Sequence, residues 1–219
     1  INEPGVYASQ GWIIGVWPPN RVNDLRGTFT VLRNMALGHG RAYHAMKAEQ
    51  PDARIGVAHH WRLFDPANPN RRGDRLIAAI RNRLMNLIFP IAIQRGRLLP
   101  PLGSGRLIPW MENTEDWVGV NYYTPFRTAP AGSAEPHVEA EAYPGAAPVS
   151  FVVREPRTDI GWEVDASGLE ELLVDTHRRT GLPVLVTENG AAYADDTRVD
   201  GSPDTVDDQD RIAYLRDHI

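Results

Sequence analysis

The sequence predicts an α/β fold: parallel strands joined by right-handed helical crossovers, four βα units in all, or half of an eight-stranded (β/α)8 barrel. Three observations carry this. Short β-branched runs alternate along the chain with longer stretches whose apolar residues recur at helical spacing. The first and last of those runs each end in a glutamate, Glu3 within Asn2-Glu3-Pro4 and Glu188 within Thr187-Glu188-Asn189-Gly190. The surplus length falls after the strands. A barrel unit averages roughly 31 residues, so three units need about 94, yet 185 separate Glu3 from Glu188. Loops after strands decorate the carboxyl-end face, where barrel active sites lie.

The elements follow in order. The chain opens at Ile1, without methionine, inside what reads as a strand ending at Glu3. Residues 4–26 are irregular, with Gly, Pro and the aromatics Tyr7, Trp12 and Trp17, and are expected to form a long loop holding one helical turn. Over 29–50, Val31, Leu32, Met35, Ala36, Ala42, Ala45 and Met46 form an apolar stripe at helical spacing that Pro51 ends. Residues 54–61 are a second strand. From Asp74, the expected N-cap, Leu76, Ile77, Ile80, Leu84, Leu87 and Ile88 mark another amphipathic helix.

Trp117 to Tyr123 is the third strand, bounded by acidic residues before it and by Pro125 after it. Residues 129–148 are rich in Ala, Pro, Gly and Glu and poor in large aliphatics, which predicts a mobile loop. A helix over 167–180 carries Leu169, Leu172 and Leu173 behind a Ser167 cap, with Glu170 completing a capping box. Residues 182–187, entered through Gly181 and Pro183 and left through Asn189-Gly190, read as a buried parallel strand. An acidic loop runs to Asp207, and a last helix starts near Asp208 with Ile212, Leu215 and Ile219 on one face. Beyond the βα alternation no internal repeat is visible.

Composition is that of a globular domain: 219 residues, 42% hydrophobic, enough for one core, and residues 1–219 are read as a single domain. A net charge of −5, with the basic residues dispersed, argues against a nucleic-acid partner. No apolar run reaches membrane-spanning length, so no membrane is expected. Without cysteine there is no disulfide and no thiolate metal site. A cytoplasmic location is the expectation, with a signal peptide ahead of Ile1 left open and the oligomeric state unread.

Two glutamates at strand ends of one parallel barrel match what glycoside hydrolysis needs, a pair of carboxyl groups flanking one bond. A glutamate after a strand is otherwise an ordinary solvated residue or helix cap. With both placed, and with Val118-Gly119-Val120-Asn121-Tyr122-Tyr123, Asp159-Ile160-Gly161-Trp162-Glu163 and Glu188-Asn189-Gly190-Ala191-Ala192-Tyr193 in this order, the chain resembles the retaining β-glycosidases of glycoside hydrolase family 1. The resemblance covers essentially the whole sequence, from the fourth barrel strand to the helix after the seventh. It implies an internal piece of a (β/α)8 barrel, with strands 1–3 and 8 outside it.

By that resemblance Glu188 is the nucleophile and Glu3 the acid/base. Asn2 and Asn121 line the sugar site, Asn2 at the 2-hydroxyl, and Tyr123 donates its phenol to the nucleophile. The implied activity is β-glucosidase-like or β-galactosidase-like hydrolysis of terminal β-linked sugars in a β-glycoside or oligosaccharide, without cofactor or metal. The 219 residues alone are expected to be inactive. The rivals are transglycosylation through the same covalent intermediate, a sugar-binding pseudoenzyme, which the two retained glutamates disfavour, and a thioglucosidase, which Glu3 disfavours.

Other conspicuous residues have plainer readings. Tyr122, on the face opposite Tyr123, is expected in the core. Trp12, Trp17, Trp61 and Trp162 have the rings to stack on sugar, but large aromatics more often fill cores and loop clusters. His39, His44, His59 and His60 lack metal-ligand spacing, Arg72-Gly73-Asp74 is a turn leading into a helix, and the acidic stretch 195–210 lacks calcium-loop order. Two positions depart from the family. Gly5 follows Asn-Glu-Pro where tryptophan is frequent, and His60 stands at a strand end where asparagine is common.

Overall fold

Ala58 anchors the first strand pairing: its N–H donates to the Ile1 carbonyl at 3.2 Å and its carbonyl accepts from Glu3 N at 2.7 Å, a parallel bridge centred on Asn2. The computed structural model of the protein describes residues 1–126, 128, 138–141, 148–151, 154–195, 206 and 208–219. In chain order the elements are α1 (Pro4–Ser9), a π-helical turn (Gln10–Ile14), α2 (Leu25–Glu49), β1 (Gly56–His60), α3 (Arg72–Arg81), a second π-helical stretch (Asn82–Leu87), α4 (Ile88–Arg95), β2 (Gly96–Arg97), β3 (Leu107–Glu112), β4 (Trp117–Asn121), β5 (Val138–Glu141), β6 (Pro148–Phe151), α5 (Ala166–Thr180), β7 (Val184–Glu188) and α6 (Gln209–His218).

The principal sheet has the order β1-β4-β7, with residues 1–3 bridged to the outer side of β1. β1 and β4 run parallel, in register from Gly56 opposite Trp117 to His60 opposite Asn121. Val118 N donates to Pro183 O and Tyr122 N to Glu188 O, so residue numbers rise together and β7 is parallel too. Strand, helix and parallel strand thus succeed one another as the alternation predicts. Gly119 is required at the centre of β4: a Cβ there would stand 2.8 Å from Ala58 Cα and 2.9 Å from Thr187 Oγ1.

The described residues form two compact units. The first comprises Ile1–Trp61, Ile80–Asn121 and Leu173–Thr187, and the second Arg62–Ala79, Tyr122–Leu172 and Glu188–Ile219. In the first, strand alternation turns Val57 into a core with Ala8, Leu32 and Ala36 and with Ile88, Phe89, Ala92 and Ile93 of α4. Leu98, Leu102 and Met111 complete it from around the β2–β3 hairpin. In the second, Phe64 packs edge-on against Phe126 at 5.7 Å, and Tyr122, Leu169, Leu172 and Tyr214 are buried.

Several expectations are corrected. Helix α2 starts at Leu25, four residues earlier than the stripe suggests, because Asp24 caps it by accepting from Gly27 N at 2.7 Å. Asp74 is not a cap. It lies inside the first turn of α3, buried, and accepts from Asn68 N at 3.0 Å. Nor is Ser167 the cap of α5: Asp165 Oδ1 accepts from Gly168 N and from the Ser167 hydroxyl. The β2–β3 hairpin is additional. The loop expected over 129–148 lies largely outside the described residues, and the described parts, β5 and β6, pair antiparallel. The acidic loop to Asp207 also lies mostly outside them.

Residues 182–187 are not a buried strand: Leu185 and Val186 are 49% and 46% exposed, on a strand whose partner in the sheet is β4. In α6, Ile212 and Leu215 are likewise exposed, and it is Tyr214 that turns inward. The helical stretch Arg72–Arg95 is, contrary to the reading of the sequence, long and apolar enough to cross a membrane by length and composition. Its Ile88, Phe89, Ala92 and Ile93 are core residues of the first unit.

Candidate active site

Register determines who meets Glu3. Because His60 and Asn121 are paired at the ends of β1 and β4, and Glu3 follows the bridge to Ala58, three strand ends deliver side chains to one place in the first unit. Asn121 Nδ2 donates to Glu3 Oε1 at 2.9 Å and to Asn2 Oδ1 at 3.2 Å. His60 Nδ1 lies 3.1 Å from the same Glu3 Oε1. Thr187 Oγ1 donates to Asn121 Oδ1 at 2.5 Å, and the Asn121 amide nitrogen faces Glu3. Asn121 is fully buried, and the Glu3 and His60 side chains are mostly so.

Glu3 reaches this position through an uncommon backbone. Its φ of 44° and ψ of 61° lie in the left-handed region, where a residue with a Cβ pays roughly 1–2 kcal/mol. The turn is held by Glu3 N on Ala58 O and by Pro4 starting α1 immediately afterwards. Such strain is retained where the surrounding structure fixes it. At the next position, a Cβ on Gly5 would meet only an ordinary 3.8 Å contact with Met85 O, so packing gives no reason for the glycine.

In the second unit the phenol of Tyr123 donates to Glu188 Oε2 at 2.6 Å, and its ring meets Trp162 edge-on at 5.9 Å. Tyr122, its neighbour, points the other way as strand alternation requires: it is fully buried, with its hydroxyl on Asp165 O at 2.8 Å. Asn189 Nδ2 donates to Tyr122 O at 2.8 Å and to the Tyr214 hydroxyl at 3.1 Å. Burial pushes the Tyr214 phenol up to about 12, so it stays a neutral donor and acceptor. These contacts brace the segments on either side of the Tyr123–Glu188 pair.

All five residues singled out from the sequence are therefore in short contacts: Asn121 with both Asn2 and Glu3, and Tyr123 with Glu188. Thr187 and Tyr214 were missed. Thr187 was the more legible, as the only hydroxyl in β7 and one residue before Glu188. Nothing in α6 marks Tyr214.

His39, His44 and His59 make structural contacts. His39 Nε2 meets Thr114 O at 2.6 Å, and burial lowers its pKa. His44 meets Trp110 O, while His59 lies 3.4 Å from Glu115 Oε1. No metal-binding group of three or more His, Cys, Asp or Glu exists among the described residues. Trp61 is core, its indole donating to Gly119 O. A cavity of about 540 Å³ opens elsewhere in the first unit, before the strands start, lined by Lys47, Arg54, Gln94, Glu115 and Asp116. It contains none of these strand-end groups.

Parallel strands linked by helices, with Glu3 and Asn121 in contact at strand carboxyl ends in the first unit and Tyr123 paired with Glu188 in the second, are those of a barrel-type α/β enzyme. The chain belongs to glycosyl hydrolase family 1, whose profile matches residues 1–98 and 106–219. It is 29% identical to β-glucosidase A of Thermotoga maritima, over all of this chain and 48% of that one. It is 26% identical to a 6-phospho-β-galactosidase of Streptococcus equi subsp. zooepidemicus, over all of this chain and 52% of that one. Among solved structures, the β-glucosidase from Thermotoga maritima in complex with glucoimidazole superposes with a TM-score of 0.77 at 28% identity, covering 99% of this chain and 48% of that one. The psychrophilic β-glucosidase from Micrococcus antarcticus also gives 0.77, at 27% identity, covering 99% and 50%. The chain thus spans about half the length of the relatives it matches, and its fold is part of an α/β barrel.

Proposed function

We propose that these residues are the catalytic segment of a retaining β-glycosidase acting on terminal β-linked sugars, with Glu188 the nucleophile and Glu3 the acid/base. The observation that carries the reading is that each glutamate has the partners its role needs. Glu188 takes the Tyr123 phenol on Oε2, a donor that holds an ionised carboxylate in one orientation. Glu3 takes Asn121 on Oε1 beside Asn2, which places amide groups next to the acid, where a sugar 2-hydroxyl has both donors and acceptors to meet.

The reaction runs in two displacements. Glu188 attacks the anomeric carbon while Glu3 gives its proton to the departing glycosidic oxygen, leaving a glycosyl ester on Glu188 and a carboxylate at Glu3. That carboxylate then takes a proton from water, whose oxygen attacks the anomeric carbon and returns Glu188 to its ionised form. Tyr123, Asn2 and Asn121 contribute by hydrogen bonds that strengthen as oxocarbenium charge develops. Relatives named β-glucosidase and β-galactosidase support the glycoside class.

The test places the 219 residues in Thermotoga maritima β-glucosidase A in exchange for the segment they match. Hydrolysis of an aryl β-glucoside, lost in Glu188→Ala and partly restored by azide as the inverted glycosyl azide, is the expected result. Turnover indifferent to Glu188→Ala overturns the reading.

A further inference from the structure

Glu3 Oε1 has two nitrogen neighbours, Asn121 Nδ2 at 2.9 Å and His60 Nδ1 at 3.1 Å. In the first, the Asn121 nitrogen, a donor only, faces the carboxyl group, while its Oδ1 takes the Thr187 hydroxyl. The second depends on which ring nitrogen of His60 carries hydrogen. If Nδ1 is bare, it is an acceptor, and Oε1 must carry the acid proton and donate to it. If Nδ1 carries hydrogen, Oε1 accepts twice and the proton of the carboxylic acid belongs on Oε2.

We propose that His60 is a positioning residue for Glu3: it holds the Nδ1–H tautomer and donates it to Oε1, so that Oε1 is the accepting oxygen and Oε2 the one that delivers the proton. Four observations support this. Asn121 already treats Oε1 as an acceptor, and a second donor on one oxygen matches the charge distribution of a neutral carboxyl group, whose carbonyl oxygen accepts while its hydroxyl is spent on the substrate. His60 and Asn121 are register partners on β1 and β4, so the two donors are set by one ladder rather than by a loop. Glu3 is itself fixed from the backbone side, by its left-handed φ of 44° and its N–H on Ala58 O. Side chains only 15% and 13% exposed, for His60 and Glu3, keep water from replacing either contact. This proposal deepens the acid/base reading of Glu3 and rests on it for its catalytic meaning, whereas the contact and the tautomer stand independently.

The tautomer is read directly by long-range ¹H–¹⁵N correlation of the imidazole signals of the 219-residue protein, at a pH about one unit above the ordinary histidine value of about 6.5. The signal absent from His60→Asn identifies His60. The expected result is a protonated Nδ1 in the native sequence, reverting to the Nε2–H form in Glu3→Ala. Glu3→Asp, which retains the carboxyl group but withdraws it by one methylene, should show the same reversion and guards against a variant that fails to fold. Nε2–H in the native sequence overturns the proposal, because Nδ1 then has nothing to donate. So does Nδ1–H that survives both substitutions, since another acceptor must then hold it. If the tautomer behaves as expected but Glu3→Ala in the Thermotoga graft slows all leaving groups alike, the acid/base reading has failed and the His60 contact has not.

Discussion

Tyr123 Oη and Glu188 Oε2 lie 2.6 Å apart, a short hydrogen bond between a phenol and a carboxylate from residues that flank one strand pairing. The pairing makes the contact possible. Tyr122 N donates to Glu188 O, so the next residue, Tyr123, is turned to the face on which the Glu188 side chain stands. Asn189 Nδ2 on Tyr122 O and the Tyr214 hydroxyl secure the same two segments.

Tyr123→Phe keeps the ring against Trp162 and removes only the donor. In the graft it should lower kcat on the order of tenfold to a hundredfold with little change in KM, because the lost interaction steadies the nucleophile rather than binding ground-state sugar. A variant whose KM rises while kcat holds would assign Tyr123 to substrate binding instead.

Glu3→Ala should divide substrates by leaving group. Alkyl and sugar aglycones need a proton on the departing oxygen and should slow by at least about a hundredfold, while activated nitrophenyl glycosides should slow far less in the first displacement. A plot of rate against leaving-group pKa measures this, and equal losses along it would remove Glu3 from the acid role.

How much of this was legible depends on what kind of signal each residue leaves. Glu3, Asn121, Tyr123 and Glu188 sit at ends of β-branched runs, and period-two alternation alone separates buried Tyr122 from Tyr123. Asp165 and Ser167 show the opposite case: the pattern Ser167-Gly168-Leu169-Glu170 satisfies a capping box, yet the chain enters α5 two residues earlier and Asp165 takes the Gly168 N–H. Which of two plausible caps wins is a matter of entry angle, which local sequence does not carry. The β2–β3 hairpin went unread because Gly103, Gly105 and Pro109 break its alternation. Leu185 and Val186 look like core since apolar character states what a strand tends to bury, whereas exposure depends on what lies opposite.

Asp116 offers a test of the scaffold by pH. Just before β4, it accepts from Ile55 N at 2.9 Å, Lys47 Nζ at 2.8 Å and the Tyr43 hydroxyl at 2.8 Å, joining α2 to the start of both central strands. Partial burial acts to raise its pKa, but the bonds from Lys47, Ile55 and Tyr43 outweigh it and hold the carboxyl below its ordinary value. A depressed folded value means stability that is present above the unfolded value, near 3.8, and lost as pH falls through the folded one. Asp116→Asn should therefore cost about 1–2 kcal/mol at neutral pH, a figure already reduced for solvent access, and the gap should close in strong acid. Urea midpoints at both pH values measure it, and a gap that persists unchanged in acid would mean that the charge contributes nothing.

Purified as 219 residues, the chain should show no measurable hydrolysis of an aryl β-glucoside. Positioning and preorganised charge supply most of a glycosidase's rate, and a barrel achieves both by closing its sheet so that every strand end is braced by neighbours. Here the sheet has the order β1-β4-β7, and β7, which ends in Glu188, leaves Leu185 and Val186 about half exposed. Two carboxylates in correct local contacts are then insufficient, since a nucleophile on a loosely covered strand loses the fixed geometry on which in-line attack depends. The graft, which restores the relative's remaining strands, should gain turnover where the isolated chain has none. The deciding comparison is initial rate at equal molar concentration, with Glu188→Ala as the control in each case. Clear turnover by the isolated chain, abolished by that substitution, would show that these residues need no further strands to hold their nucleophile in place.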